Sequence, residues 1–207
     1  MTKLWDVIRR RRVLAIVIGV LVLVGLTSGV VVGRGILTPE APAKAANSSM
    51  NAIPADFTAF RNDQAGFELA YPTSWSKLTV QDPQVHLLVA QGTEDSLLVR
   101  SLELQQPVGP QQLATAKQLT DQIVASNKTV QMITEPKQIE LGGLPGFFYF
   151  YSFKDPGSEQ EGAHSHYFLF NGKMMISLVF QALPKDHFPV SAPTFDKITS
   201  TFHGLKK

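Results

Sequence analysis

Twenty consecutive residues without charge or proline, VLAIVIGVLVLVGLTSGVVV at positions 13–32, constrain this chain before anything else does. At about 1.5 Å of rise per residue such a helix is roughly 30 Å long, the thickness of a bilayer's hydrocarbon core. The stretch reads as a membrane-spanning helix. Lys3 and Arg9 to Arg12 precede it, whereas only Arg34 and Lys44 follow closely, and positive residues beside a span stay on the cytoplasmic side. The expected arrangement is single-pass in the plasma membrane: residues 1–12 a basic cytoplasmic N-terminus, 13–33 the anchor, and the rest extracytoplasmic. A cleaved secretory signal would need a shorter apolar core, about 7 to 15 residues, and a small-x-small site soon after it. Here the nearest such site, Ala43-Lys44-Ala45, lies far beyond the apolar run. Gly25, Gly29 and Gly33 recur every four residues, on one helix face, which offers a packing surface for a homodimer through the span.

Charge separates the chain into two parts. Residues 1–55 carry seven basic and two acidic side chains, leaving twelve basic and fifteen acidic for residues 56–207. The overall charge of +2 therefore reflects the membrane-flanking cluster, and the mildly acidic remainder argues against a nucleic-acid partner. The absence of cysteine removes thiolate metal sites, thiol nucleophiles and lipid attachment through a lipobox. Two Asn-x-Ser/Thr triplets, at Asn47 and Asn127, matter only in a glycosylating host.

Residues 34–56 are rich in alanine, proline, serine and asparagine with no sustained apolar period, which reads as a flexible linker. A folded domain is expected over 57–205. Short β-prone runs at 57–60 and 67–71 flank a polar loop ending in Gly66, and further strands are expected at 86–90 and 97–104. Residues 110–127 form the clearest helix outside the membrane segment, with Leu113, Ala116, Leu119 or Thr120, and Ile123 on one stripe. Strands follow at 130–133 and 137–141 around Pro136, at 147–153, at 163–170 and at 174–181. Asn171-Gly172 marks a hairpin with a two-residue type I′ turn. A last helix is expected from a Ser191 cap to about Phe202, with Phe195, Ile198 and Phe202 inward.

These residues resemble the PsbP-like family. The likeness rests on Gly66-Phe67-Glu68-Leu69-Ala70-Tyr71-Pro72 with Trp75, on Ile139-Glu140-Leu141-Gly142-Gly143-Leu144-Pro145-Gly146 ahead of a long hairpin, and on Phe195-Asp196-Lys197-Ile198-Thr199-Ser200-Thr201-Phe202. The family includes an extrinsic photosystem II subunit, a Ran-binding protein and LpqN-type envelope proteins. The resemblance implies an α+β fold, an α/β/α sandwich around a mainly antiparallel sheet, preceded here by one N-terminal transmembrane helix. It also implies a non-enzymatic module without cofactors that binds or assembles other components, here in a bacterial cell envelope with a membrane or envelope protein as partner.

Three candidate sites stand beside that expectation. Phe147, Tyr149, Tyr151 and Phe153 share one strand face, and Phe148 and Phe150 the other, so both faces are buried or one serves as a ligand or partner surface. An apolar-ligand or lipid carrier with a cleft beside residues 147–153 is the alternative function. His164 and His166, two apart in a strand, project together and become a metal pair if Glu159 or Glu161 joins them; the ordinary reading is a pair of half-exposed strand histidines. No catalytic residue is assigned, since no G-x-S-x-G elbow, phosphate loop or H-E-x-x-H helix is present.

Overall fold

A computed structural model describes residues 53–205. The expected anchor at 13–33, its glycine face at Gly25, Gly29 and Gly33, and most of the expected linker lie outside the described residues. Among the described residues no helix is long and apolar enough to cross a membrane.

The chain runs β1 (Phe57–Asn62), β2 (Phe67–Pro72), β3 (Ser76–Lys77), β4 (Val85–Gln91), β5 (Asp95–Glu103), α1 (Leu113–Ser126), β6 (Gln131–Leu141), β7 (Leu144–Lys154), β8 (Glu161–Asn171), β9 (Met174–Ala182), α2 (Phe188–Ser200) and β10 (His203–Gly204). Seven strands form one sheet in the order β3-β4-β5-β9-β8-β7-β6, and β1-β2-β10 form a second. Every pairing is antiparallel.

Strand alternation gives the large sheet two apolar faces, and each finds its own cover. On the first, Leu87, Val99, Leu178 and Phe180 meet Phe67 and Leu69 of β2 and Phe195 and Ile198 of α2. On the second, Phe147, Tyr149, Phe168, Phe170 and Met175 meet Ala116 and Val124 of α1. Leu88, Leu98 and Val179, further along that second face, are capped by Leu78, Val80 and Val85. The result is a mainly antiparallel α+β architecture with α1 and α2 on opposite sides of the seven-stranded sheet.

Several local expectations change. The runs at 130–133 and 137–141 are one strand, because β6 is an edge strand and tolerates Pro136 between register shifts at Met132/Thr134 and Thr134/Lys137. Asn171 pairs with Met174, so the tight turn is Gly172-Lys173, with positive φ at Gly172 only. The type I′ requirement for two positive φ values is met instead at Gly142-Gly143, φ 58° and 77°, between paired Leu141 and Leu144. Asn171 is used differently: its Nδ2 donates to the carbonyls of Gly66 at 3.1 Å and Leu205 at 3.0 Å, tying the hairpin to the small sheet. The last helix starts at Phe188 rather than beyond a Ser191 cap.

Candidate functional site

α1 places Ala116, Thr120 and Val124, one every four residues, against β7 and its neighbours. The stripe is rotated from the expected one, with Leu113, Leu119 and Ile123 half-buried at its flanks. A threonine sits at its centre because Tyr149 needs a partner there. The Tyr149 hydroxyl donates to Asp121 Oδ1 at 2.8 Å, and Thr120 Oγ1 lies 2.6 Å from the phenol oxygen and 2.9 Å from the Lys117 carbonyl. Lys117 Nζ donates to the same Asp121 oxygen at 2.5 Å and lies 5.2 Å from the Tyr149 ring centre. Burial foremost, with the Asp121 carboxylate adding to it, holds the Tyr149 phenol well above its ordinary value.

Beside this chain of bonds lies the irregular stretch of β6 that holds Pro136 and the two register shifts. A cleft of about 400 Å³ opens there, with Val124, Ala125, Val130, Met132, Pro136 and Tyr149 as its apolar lining and Asp121, Asn127 and Lys128 as its polar one. Met132 and Ile133 on the same stretch of β6 are 43% and 41% exposed, unusual for large apolar side chains in this fold. The legible sign of the cleft in the sequence is Pro136 inside a β-prone run, which marks an edge or a bulge. The approach of Val124 and Ala125 from α1 has no such sign.

The aromatic face read from the sequence is placed inside. Phe147, Tyr149, Tyr151 and Phe153 are all buried, and of the four only Tyr149 lines the cleft. On the opposite face Phe150 packs 4.5 Å from Phe188 and Phe148 4.8 Å from Tyr167, ring centre to ring centre, so both sides of β7 are filled.

His164 and His166 do share a face, but both are buried rather than half-exposed. Tyr151 Oη stands between them, 3.3 Å from His164 Nδ1 and 3.1 Å from His166 Nδ1. His164 Nε2 reaches Gln181 Oε1 at 3.0 Å, while His166 Nε2 has no partner. The rings stack on Phe153 and Phe168. Burial pushes His164 down to about 4. Burial, then the neighbouring His164 and Arg100, pushes His166 well below its ordinary value. Glu161 is turned to Lys185 at 3.1 Å, and Glu159 is exposed. No group of three metal-ligating side chains forms among the described residues.

One constellation was invisible in the sequence. Ser191, His187 and Asp95 converge across α2, the turn before it and the start of β5. Ser191 Oγ donates to Asp95 Oδ1 at 2.7 Å, and His187 Nδ1 lies 3.1 Å from the same oxygen and 3.2 Å from Ser191 Oγ. A hydrolytic relay needs serine and carboxylate on opposite ring nitrogens. Here both crowd Nδ1, and the Nε2 side faces Glu94 at 3.8 Å, so the trio pins α2 to the sheet instead of activating the hydroxyl.

No family model and no curated protein sequence matches the chain. Solved structures do. The cyanobacterial PsbP protein CyanoP from Synechocystis superposes with a TM-score of 0.55 at 19% identity, over 77% of this chain and 99% of that one. LpqN of Mycobacterium tuberculosis, described as involved in cell envelope biogenesis, gives 0.52 at 13% identity over 71% and 89% of the two chains. The Saccharomyces cerevisiae Ran-binding protein Mog1p is looser, 0.47 at 9% identity over 76% and 97%, too distant a likeness to inform function. The similarity to the first two spans most of this chain and 99% and 89% of the solved proteins, and residues 53–205 thus have the PsbP-like fold.

Proposed function

We propose that this chain is a membrane-anchored, extracytoplasmic, non-enzymatic binding or assembly module of a bacterial cell envelope, and that its partner is another envelope or membrane protein. The observation that carries the reading is the exposed apolar stretch Met132-Ile133 on edge strand β6, beside an open cleft. Elsewhere the chemically capable side chains are spent on packing: Tyr149 on α1, His164 on Gln181, and Ser191 on Asp95. Anchoring and orientation draw their support from the uncharged run at 13–32 behind Arg9 to Arg12. The envelope setting draws support from the shared fold with LpqN and CyanoP.

Photo-crosslinking of the full chain in native membranes tests this. A crosslinker at Ile133 is expected to give a discrete adduct, and one at Val190, exposed on α2, is expected to give none. Equal labelling from both positions, or no adduct from Ile133, contradicts the reading. The cleft itself favours a second reading, a carrier of a small apolar ligand, because about 400 Å³ falls in the range of small-molecule sites.

A further inference from the structure

The α1–β6 cleft is built, not incidental. Its β6 wall, with Met132 and Pro136, coincides with two register shifts in that edge strand, and bulges re-aim strands at the rims of sites. The walls decide what the cleft accepts. The interior is aliphatic, from Val124, Val130, Met132 and Pro136, with Met132 able to adjust its shape to an occupant. Taking about 30 Å³ per water-sized unit, about 400 Å³ holds about a dozen heavy atoms.

Two charged side chains touch this space, and they differ. Asp121 is already compensated, since its Oδ1 accepts from both Lys117 Nζ and Tyr149 Oη. Lys128 has no carboxylate within ion-pair range among the described residues, and of its three donors one makes a 3.4 Å contact to the Ala125 carbonyl. The uncompensated charge at the cleft is therefore positive, and an anionic head complements it.

We propose that the cleft binds an amphipathic carboxylate, an unbranched acyl chain of about ten carbons lying along Val124, Val130 and Met132 with its carboxylate on Lys128. The proposal rests on the carrier reading and adds the chemical class of the ligand.

The test uses the full chain in lipid nanodiscs, with methyl NMR reporting on Val124, Val130 and Met132, and with decanoate and decanol as probes. Decanoate is expected to shift these methyls saturably. Lys128→Gln is expected to weaken decanoate about three- to fivefold, the size of an exposed charge pair, while leaving decanol unchanged. Ala125→Phe, a substitution at an exposed position on the cleft wall, is expected to weaken both probes at least tenfold with an unaltered thermal midpoint. If both probes bind and Lys128→Gln changes neither, the carboxylate assignment falls and the carrier reading stands. If neither probe shifts the methyls, or Ala125→Phe leaves binding intact, both fall.

Discussion

The two faces of the seven-stranded sheet are buried by different chemistry. Under β1, β2 and α2 rings and aliphatic chains dominate, with Phe67, Leu69, Phe180, Phe195 and Phe202 packed together, and the polar groups buried beside them, such as Asp95, Ser191 and Thr201, are bonded to one another or to backbone. Under α1 and the 78–85 segment a polar band interrupts the apolar packing: Tyr149, Tyr151, His164, His166, Ser177 and Gln181 are all buried there. Register explains the band. Tyr151, His164 and Gln181 are cross-strand neighbours in one row, and Tyr149, His166 and Val179 form the next. Polar side chains in such rows bond one another but leave orphans, and His166 Nε2 is one. The difference separates a face dominated by ring and aliphatic packing from a face that carries a buried histidine pair and whose edge opens into a cleft.

That contrast is broken most severely from the hydrocarbon side. Phe195 is buried against Trp75, Phe180 and Phe188, so Phe195→Ala is expected to cost about 3–5 kcal/mol, read by urea unfolding with Trp75 fluorescence as a local reporter.

The histidine face is expected to respond to acid. His164 and His166 hold folded-state values below the ordinary 6.5, His164 at about 4. The unfolded chain then takes up the extra protons. Their contribution is complete above pH 6.5 and falls as pH drops below it, the His164 part draining away toward pH 4 and amounting to on the order of 3 kcal/mol. His166→Phe removes the unpartnered Nε2 together with Nδ1, whose partner Tyr151 Oη keeps His164 Nδ1; it should stay within about 1 kcal/mol of the parent at pH 7 and flatten the slope of stability against pH. An unchanged slope would show that His166 does not contribute to it.

Smaller effects sharpen the contrast. Tyr149→Phe keeps the ring and deletes the bonds to Thr120 and Asp121, an expected loss of about 1 kcal/mol with earlier hydrogen exchange in α1 than in α2. Val190→Ser, at a side chain 70% exposed, should move stability by less than about 0.5 kcal/mol.

The sequence was most legible where local rules dominate. Short β-prone runs bounded by turn residues located β2, β5, β7, β8 and β9, and spacings of three and four located α1 and the inward residues of α2, Phe195 and Ile198. It was least legible where tertiary partners decide. Nothing local shows that Thr120 lies beneath Tyr149, that Ser191 seeks Asp95 across 96 positions, or that His164 and His166 are sealed from solvent. The two-residue β3 and β10 are too short to carry any period. Pro136 disguised one edge strand as two, and of the cleft expected beside residues 147–153 only the Tyr149 wall was legible, not the walls from β6 and α1.

Docking of a partner on the β6 edge is tested most directly by Ile133→Asp in the full chain, measured for both unfolding and Met132-directed crosslinking in native membranes. Because Ile133 is exposed, the thermal midpoint is predicted to stay within a degree or two of the parent, the usual small effect of surface changes, while the partner adduct is lost. An intact adduct, or an adduct lost only together with the fold, would contradict the docking role of this edge.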